Sequence, residues 1–406
     1  SLFFTLLLVI FATDIVQSMG YEGKEHFVYV FAAILALDAV LAIPFAKLRL
    51  QGKAKTFASA KFLSIFFNIA INVFFLYFCE NIHKGKFLVL LQPFIDQLYN
   101  PALKVEYIFI ANLVANLSML LVLYKVFSGM SLQIDKGLFS RMFTFGYPVL
   151  FTGLALVTNE MLSRWALKYW LPDGYYENFN NQQILGIFSG VYKLAILLNL
   201  GIQAFRYAAE PFFFSKSKQK DSPLLFANVM DWFVIFGCFL MLGVGINLDV
   251  LQYLLRNPDY RTALHIVPVL LLANLFMGIN YNLSAWYKLV DYTKAGTYIT
   301  LIGAGITIVS NWFLIPLYGY TGCAASSVLA YFSMCVISYL WSRKYNAIPW
   351  HVLKISLHII IAFSLTLLIN NFPIANHVYG FIFHNTFLII YLGGVLWVEK
   401  RSFKDL

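Results

Sequence analysis

Ionisable side chains inside long apolar runs are the residues of this sequence best placed to do chemistry. Glu160, Arg164 and Lys168 follow one another at i, i+4 and i+8, a spacing that puts all three on one helix face, with Glu160 N-terminal to Arg164 in the favourable order. Lys193 lies well inside the next apolar run, and Arg206 and Glu210 are again i, i+4 near that run's far end. A charge at bilayer depth costs roughly 2.5 to 3.5 kcal/mol on insertion scales, so such residues mark function or a partner. The chemistry they offer is electrostatic. Arginine grips phosphate oxygens through a planar two-pronged fork and lysine acts as a point charge, and Glu160 and Glu210 offset the positive charge when nothing is bound. The blander alternative is that Arg164 and Lys168 reach back to the outer interface and Arg206 to the inner one, as long basic side chains do. Lys193 is too deep for that escape.

Asp38 is the other deep charge, followed by Pro44 and the basic pair Lys47 and Arg49. It serves either as a structural anchor accepting hydrogen bonds from a neighbouring helix or as a coupling site for an ion. The amide pairs Asn68/Asn72 and Asn112/Asn116, each i, i+4, together with Asn274, Asn280, Asn282 and Asn311, read as interhelical hydrogen-bonding groups, and Gly296, Gly303, Ala304 and Gly305 as close-packing positions.

Enzymatic constellations are missing. His351/His358 and His377/His384 are i, i+7 pairs without the i, i+4 partner or carboxylate of a metal site. The sequence has no GxSxG, HExxH, phosphate-binding loop or dinucleotide fingerprint. Its four cysteines lack CxxC spacing and read as small apolar residues. The expectation is therefore no enzyme, no cofactor and no metal.

The elements that must position these residues follow from composition. Sixty per cent of the 406 residues are apolar and 12 per cent charged, against about 25 per cent charged in soluble domains. An ordinary soluble fold is excluded. The 40 Phe and 25 Tyr suit helices that face lipid and end in aromatic belts. The net charge of +10 is spread in short clusters between apolar runs, where it acts as a topology signal and not as a nucleic-acid footprint. Apolar runs long enough to span about 30 Å of hydrocarbon number twelve, centred on 1–17, 27–46, 57–79, 105–127, 141–163, 183–209, 224–248, 262–286, 295–316, 320–341, 352–370 and 378–398. All should be helices, since only helices and closed barrels satisfy the backbone in lipid. With the second run's exit taken as cytoplasmic, 20 Lys and Arg fall on that side, eight on the other, and Lys193 between them. A bias that survives eleven alternations places both ends in the cytoplasm. The loop at 128–140 is the natural boundary between two helical bundles. The opening inside an apolar stretch, at Ser1, reads as a fragment whose start lies upstream.

Three stretches carry a family resemblance. NLFMGINYNLSAWYKLVDYTKAGTYITLIGAGITIVSNWFLIPLYGYTG and its continuation to residue 350, ILGIFSGVYKLAILLNLGIQAFRYAAEPFFF at 184–214, and LALDAVLAIPFAKLRLQGKA at 35–54 resemble polysaccharide flippases of the Wzx type, of Bacteroidetes-type bacteria, in the multidrug/oligosaccharidyl-lipid/polysaccharide superfamily. The resemblance covers essentially the whole chain. It implies an all-α, polytopic, MATE-like two-lobe transporter fold with 12 helices present of an expected 14. The remainder of the N-terminal lobe would occupy 1–127, the C-terminal lobe 138–343, and two accessory helices with a cytoplasmic tail 344–406. It also implies a bacterial inner-membrane flippase for undecaprenyl-diphosphate-linked oligosaccharide in surface-polysaccharide or O-antigen lipopolysaccharide synthesis, working in membrane lipid beside a polysaccharide polymerase complex. The implied cargo site is the set Arg164, Lys193, Arg206, Lys168, Glu160 and Glu210. Many relatives carry Asp-Arg where this chain has Ser163-Arg164, so Glu160, one turn back, is the remaining partner for the arginine. An ion-coupled drug antiporter of the same superfamily needs an embedded carboxylate cluster, and Asp38 and Glu160 stand on different lobes. A polymerase or ligase carries a long Arg-bearing periplasmic loop, and no loop here exceeds about 25 residues.

The topology makes a direct prediction. In a background without native cysteines, Tyr176→Cys and Lys218→Cys should label oppositely with an impermeant thiol reagent on intact cells. If both react from outside, the helix count is wrong.

Overall fold

In a computed structural model the described residues are 2–21, 23–127, 135–216, 221–290, 292, 294–345, 348–372 and 377–399. The described residues form helices and no strands, and the chain divides into two compact units, 1–134 and 135–406. Nine helices among the described residues are long and apolar enough to cross a membrane. This is a multi-pass membrane protein.

The first unit comprises α1 (Leu2–Ile10), α2 (Ala12–Met19), α3 (Glu25–Leu50), α4 (Ala54–Val73), a π-helical turn at Phe74–Cys79, α5 (Glu80–His83), α6 (Gln92–Leu98) and α7 (Lys104–Phe127). α2 stops at Gly20, whose left-handed backbone (φ 74°) lets its N–H bond to the Gln17 carbonyl and the Tyr21 N–H to the Val16 carbonyl. Two apolar clusters hold the ends, one around Leu41, Phe45 and Leu123 and the other around Ile82, Tyr99 and Tyr107. Between them run polar rungs. Asn116 donates to Asp38 at 3.0 Å and Asn68 to Asn112 at 2.8 Å, so Asp38 is held by an amide from α7.

The second unit comprises α8 (Lys136–Trp170), α9 (Asn181–Lys216), α10 (Ser222–Gly245), α11 (Leu248–Leu251), α12 (Val267–Leu283), α13 (Ala285–Leu289), α14 (Lys294–Tyr345), α15 (Val352–Asn370) and α16 (His377–Glu399). Asp135 caps α8 by accepting from the Gly137 and Leu138 amides. One apolar core runs through this unit, with Phe188, Leu198, Phe226, Phe233 and Trp286 essentially fully buried. α14 is 52 residues long but folds back on itself at Gly319 (φ 56°, ψ −133°). Gly303 faces Met334 and Gly322 faces the Leu314 carbonyl across the two arms. The turn is clasped by the loop after α8. Tyr175 donates to the Leu317 carbonyl at 2.8 Å, and Tyr176 stacks on Tyr320 at 4.9 Å.

Four of the twelve expected runs do not map one-to-one onto the nine spans counted among the described residues. Run 1–17 holds α1 and α2, with helical bonds continuing through Phe11 to Leu7 on one side and Ile15 on the other. Run 141–163 lies within the 35-residue α8. Runs 295–316 and 320–341 are the two arms of α14. Tyr176 is also tied into the turn at Gly319, which makes the exposed Asn178 the cleaner labelling position on that loop.

The hairpin predicts a contrast among glycines. A side chain at Gly319 would meet Tyr176 and adopt a backbone conformation that L-residues avoid, and one at Gly322 would run into the Leu314 carbonyl, whereas Gly305 has open space beside it. Gly319→Ala and Gly322→Ala should each lower the melting temperature of the purified protein, by about 1 to 3 kcal/mol of strain at Gly319. Gly305→Ala should be neutral or mildly stabilising. Equal melting of all three variants would remove the hairpin's steric basis.

Candidate functional site

A cavity of about 620 Å³ opens inside the second unit. α8 gives it Thr144 and Thr152, α9 gives Phe205 and Arg206, α10 gives Phe233, the α12–α13 segment gives Tyr281, Tyr287 and Lys288, and α14 gives Lys294, Thr297 and Thr300. Three cations therefore share one cavity. No carboxylate stands among its described lining residues. The walls are otherwise apolar, which is the usual make-up of a small-molecule site: a largely hydrophobic concavity with a few convergent polar groups.

Local sequence explains why these groups meet. On α9, Leu194, Leu198 and Ile202 bury one face in the core, and Arg206 follows at i+4 from Ile202, at the cavity edge of the same stripe. Its guanidinium lies 5.0 Å from the Tyr281 ring, a cation–π geometry that keeps a charge in an apolar wall. Lys288 stands near the end of α13 and Lys294 opens α14, and both line the cavity. Thr152 donates to Thr297 at 2.9 Å across the α8–α14 wall.

A second polar focus lies along α8, α9, α12 and α14. Arg164 is half-buried and packs over the Tyr192 ring at 4.6 Å. It donates to the Met161 sulfur at 2.8 Å, and its Nε is buried without a hydrogen-bond partner among the described residues. The Tyr192 hydroxyl is 3.4 Å from Asn274 Oδ1, and Asn274 Nδ2 donates to the Ala195 carbonyl at 3.2 Å. Glu160 stands one turn before Arg164 on α8 and is exposed.

The expected ladder is therefore only partly assembled. Arg206 lines the cavity. Arg164 sits in the neighbouring focus, engaged with Tyr192 and Met161, and makes no ion pair with Glu160 among the described contacts. Lys193 stands on the exposed face of α9 with Ile196, Leu197 and Leu200, because it lies one position beyond the buried Val191–Tyr192 step and is rotated by about 100° from Tyr192. Depth along a helix does not fix which way a side chain faces. Lys168 is half-buried beside Tyr169, 5.1 Å from its ring. The Glu210 side chain lies outside the described residues. Ser163 is buried and accepts from Asn311 at 3.0 Å. It zips α8 to α14 and has no cation among its described partners.

Lys288 and Lys294 entered the sequence reading only as topology signals. The clue was their place in a break of a few residues, where a basic residue cannot move far from the flanking helix ends. Tyr281 and Tyr287 gave no signal beyond the general aromatic richness.

With this geometry established, comparison with solved structures returns one clear likeness. A structure of the lipid II flippase MurJ in an inward closed conformation superposes with a TM-score of 0.69 at 14% identity, over 99% of this chain and 82% of that one. The fold is MurJ-like. No protein-family model matches the chain. No curated protein matches it either.

Proposed function

We propose that the chain is a flippase for lipid-linked oligosaccharide, carrying an undecaprenyl-diphosphate-linked glycan from the cytoplasmic to the periplasmic leaflet of a bacterial inner membrane by alternating access, for synthesis of a surface polysaccharide such as O-antigen. The observation that carries the proposal is the three-cation cavity formed by Arg206, Lys288 and Lys294 in a MurJ-like fold. Such a cargo keeps one part constant, its diphosphate, while its sugars vary. An anion of about two charges leaves the headgroup region only where fixed positive charge receives it. All three cations belong to loops or helix ends that the charge bias assigns to the cytoplasm. Arg206 would supply the two-pronged grip and the lysines point charges, while the neighbouring Thr and Asn side chains offer hydrogen bonds to the first sugar. Arg164, with its unpartnered Nε beside Tyr192, would be a second station for the same phosphates, with Glu160 weakening the grip. An ion-coupled antiporter is a poorer fit, since the cavity's described lining offers cations and no carboxylate.

The test is flipping by the purified full chain in proteoliposomes loaded with a diphosphate-linked glycolipid. Arg206→Ala should slow translocation about tenfold or more, the scale of one lost charge-assisted contact, and Arg206→Lys should restore part of it because the charge returns without the fork. Lys288→Ala and Lys294→Ala should each slow it, and Lys193→Ala should leave it near the parental rate. Parental flipping by the triple Arg206, Lys288 and Lys294 alanine variant, at matched protein, would sink the reading.

A further inference from the structure

A second group of charges, outside the cavity lining, joins α10, α15 and α16. Asp231 on α10 and Glu399 at the end of α16 are each only 3% exposed. Lys354 on α15 bridges them, with Nζ 3.0 Å from Asp231 Oδ2 and 2.8 Å from both Glu399 oxygens. His351, at the start of α15, places Nδ1 2.8 Å from the same Asp231 Oδ2. Asp231 Oδ1 is buried and has no hydrogen-bond partner among the described residues.

Charge counting makes the group incomplete as it stands. Two carboxylates and one ammonium sum to −1, and a net charge held in a buried site is costly unless neutralised. One proton removes the imbalance. His351 is the group through which it arrives, because its side chain is 40% exposed while Asp231 is sealed. We propose that Asp231, His351, Lys354 and Glu399 form a binding site for one proton, and that the bound proton sets how tightly α15 and α16 dock on α10.

The other ionisable groups on the packed elements do not replace that proton. His358 and Tyr391 lie further along α15 and α16 and are 3.3 Å from each other, and Cys238 is two turns along α10 from Asp231. Arg343 and Lys344 are exposed at the end of α14, where Trp350 donates to Ser342. Arg206 lies on α9 at the level where Phe205 meets Phe233, but it faces Tyr281, the ionisable side chain α12 offers there. Lys400, Arg401 and Lys404 lie outside the described residues. Because α10 also contributes Phe233 to the cavity wall, the site is two residues from the cavity along one helix. The proposal needs no assumption about the cargo.

The sign follows from linkage. The docked state binds the proton and the undocked state releases it, so docking is favoured at low pH and weakens as pH rises. The experiment is hydrogen exchange of the purified full chain at pH 5.5 and pH 8.0, read at the start of α15 and the end of α16 and corrected for intrinsic rates. In the parent, exchange there should be roughly tenfold slower at pH 5.5. His351→Gln should abolish the difference and fix the fast state. Asp231→Asn makes the group neutral without a proton and should abolish the difference in the slow state. His26 and His83 also sit on carboxylates, Glu106 and Asp96, so the readout is local and not global melting. A parent without pH dependence, a His351→Gln protein that keeps the parental profile, or an Asp231→Asn protein fixed in the fast state would each overturn the proposal.

Discussion

Helices in lipid gain little from burying apolar surface against one another, because the surrounding tails are as apolar as leucine. The second unit depends on how α8 meets the α14 hairpin despite that. Asn159 accepts from Thr307 at 2.9 Å and donates to the Thr300 carbonyl at 3.3 Å, and Asn311 donates to Ser163 at 3.0 Å. Asn159, Ser163, Thr307 and Asn311 are all buried. Each contact contributes on the order of 0.6 kcal/mol, so no single rung decides stability. Together they fix register, since a slip by one residue would strand four buried polar side chains. Register places Thr152 opposite Thr297 and so sets one wall of the cavity.

The cavity's positive charge becomes tolerable through a different device. Arg206 rests on Tyr281 and Arg164 on Tyr192, so each guanidinium trades part of its hydration for an aromatic face. A tyrosine face leaves the guanidinium edge open to phosphate oxygens, where a carboxylate partner would occupy it. In Arg164 this is visible as a buried Nε with no described hydrogen-bond partner. Holding a cation by stacking instead of by pairing keeps it available.

Much of the helical layout was legible because lipid imposes strong rules. The cores of α3, α4, α7, α9, α10, α12, α15 and α16 fall on apolar runs that length alone picks out, and the turn at 317–319 was visible as a gap between two runs. Lengths fail where local geometry intrudes. The distortion at Phe11 carries no proline or glycine to announce it. Side-chain facing was the weak point for the site. Lys193 and Arg206 are both cations on α9, yet one lies on the exposed face and the other in the cavity. Only the buried stripe Leu194, Leu198 and Ile202 distinguishes them, and it is hard to read in a helix apolar nearly all round. Lys288 and Lys294 were counted for orientation, a role that does not preclude lining a cavity.

The two units solve the problem of buried polarity with different groups at different places. Within α3, α4 and α7 the rungs are amides around one carboxylate, Asp38 with Asn116 and Asn68 with Asn112. Within α8 and α14 they are amides and hydroxyls without a charge. Full ionic groups gather instead where a helix end brings its charge to a partner, as Lys354 and Glu399 do with Asp231, or beside a cavity, as with Arg206. Neutral rungs need no counter-charge or water and so can hold register deep in the helix pair. Charged groups need one or the other and are found where either can be supplied. The sites able to exchange a ligand or a proton are therefore the charged ones, and the neutral rungs are the frame that keeps them in place.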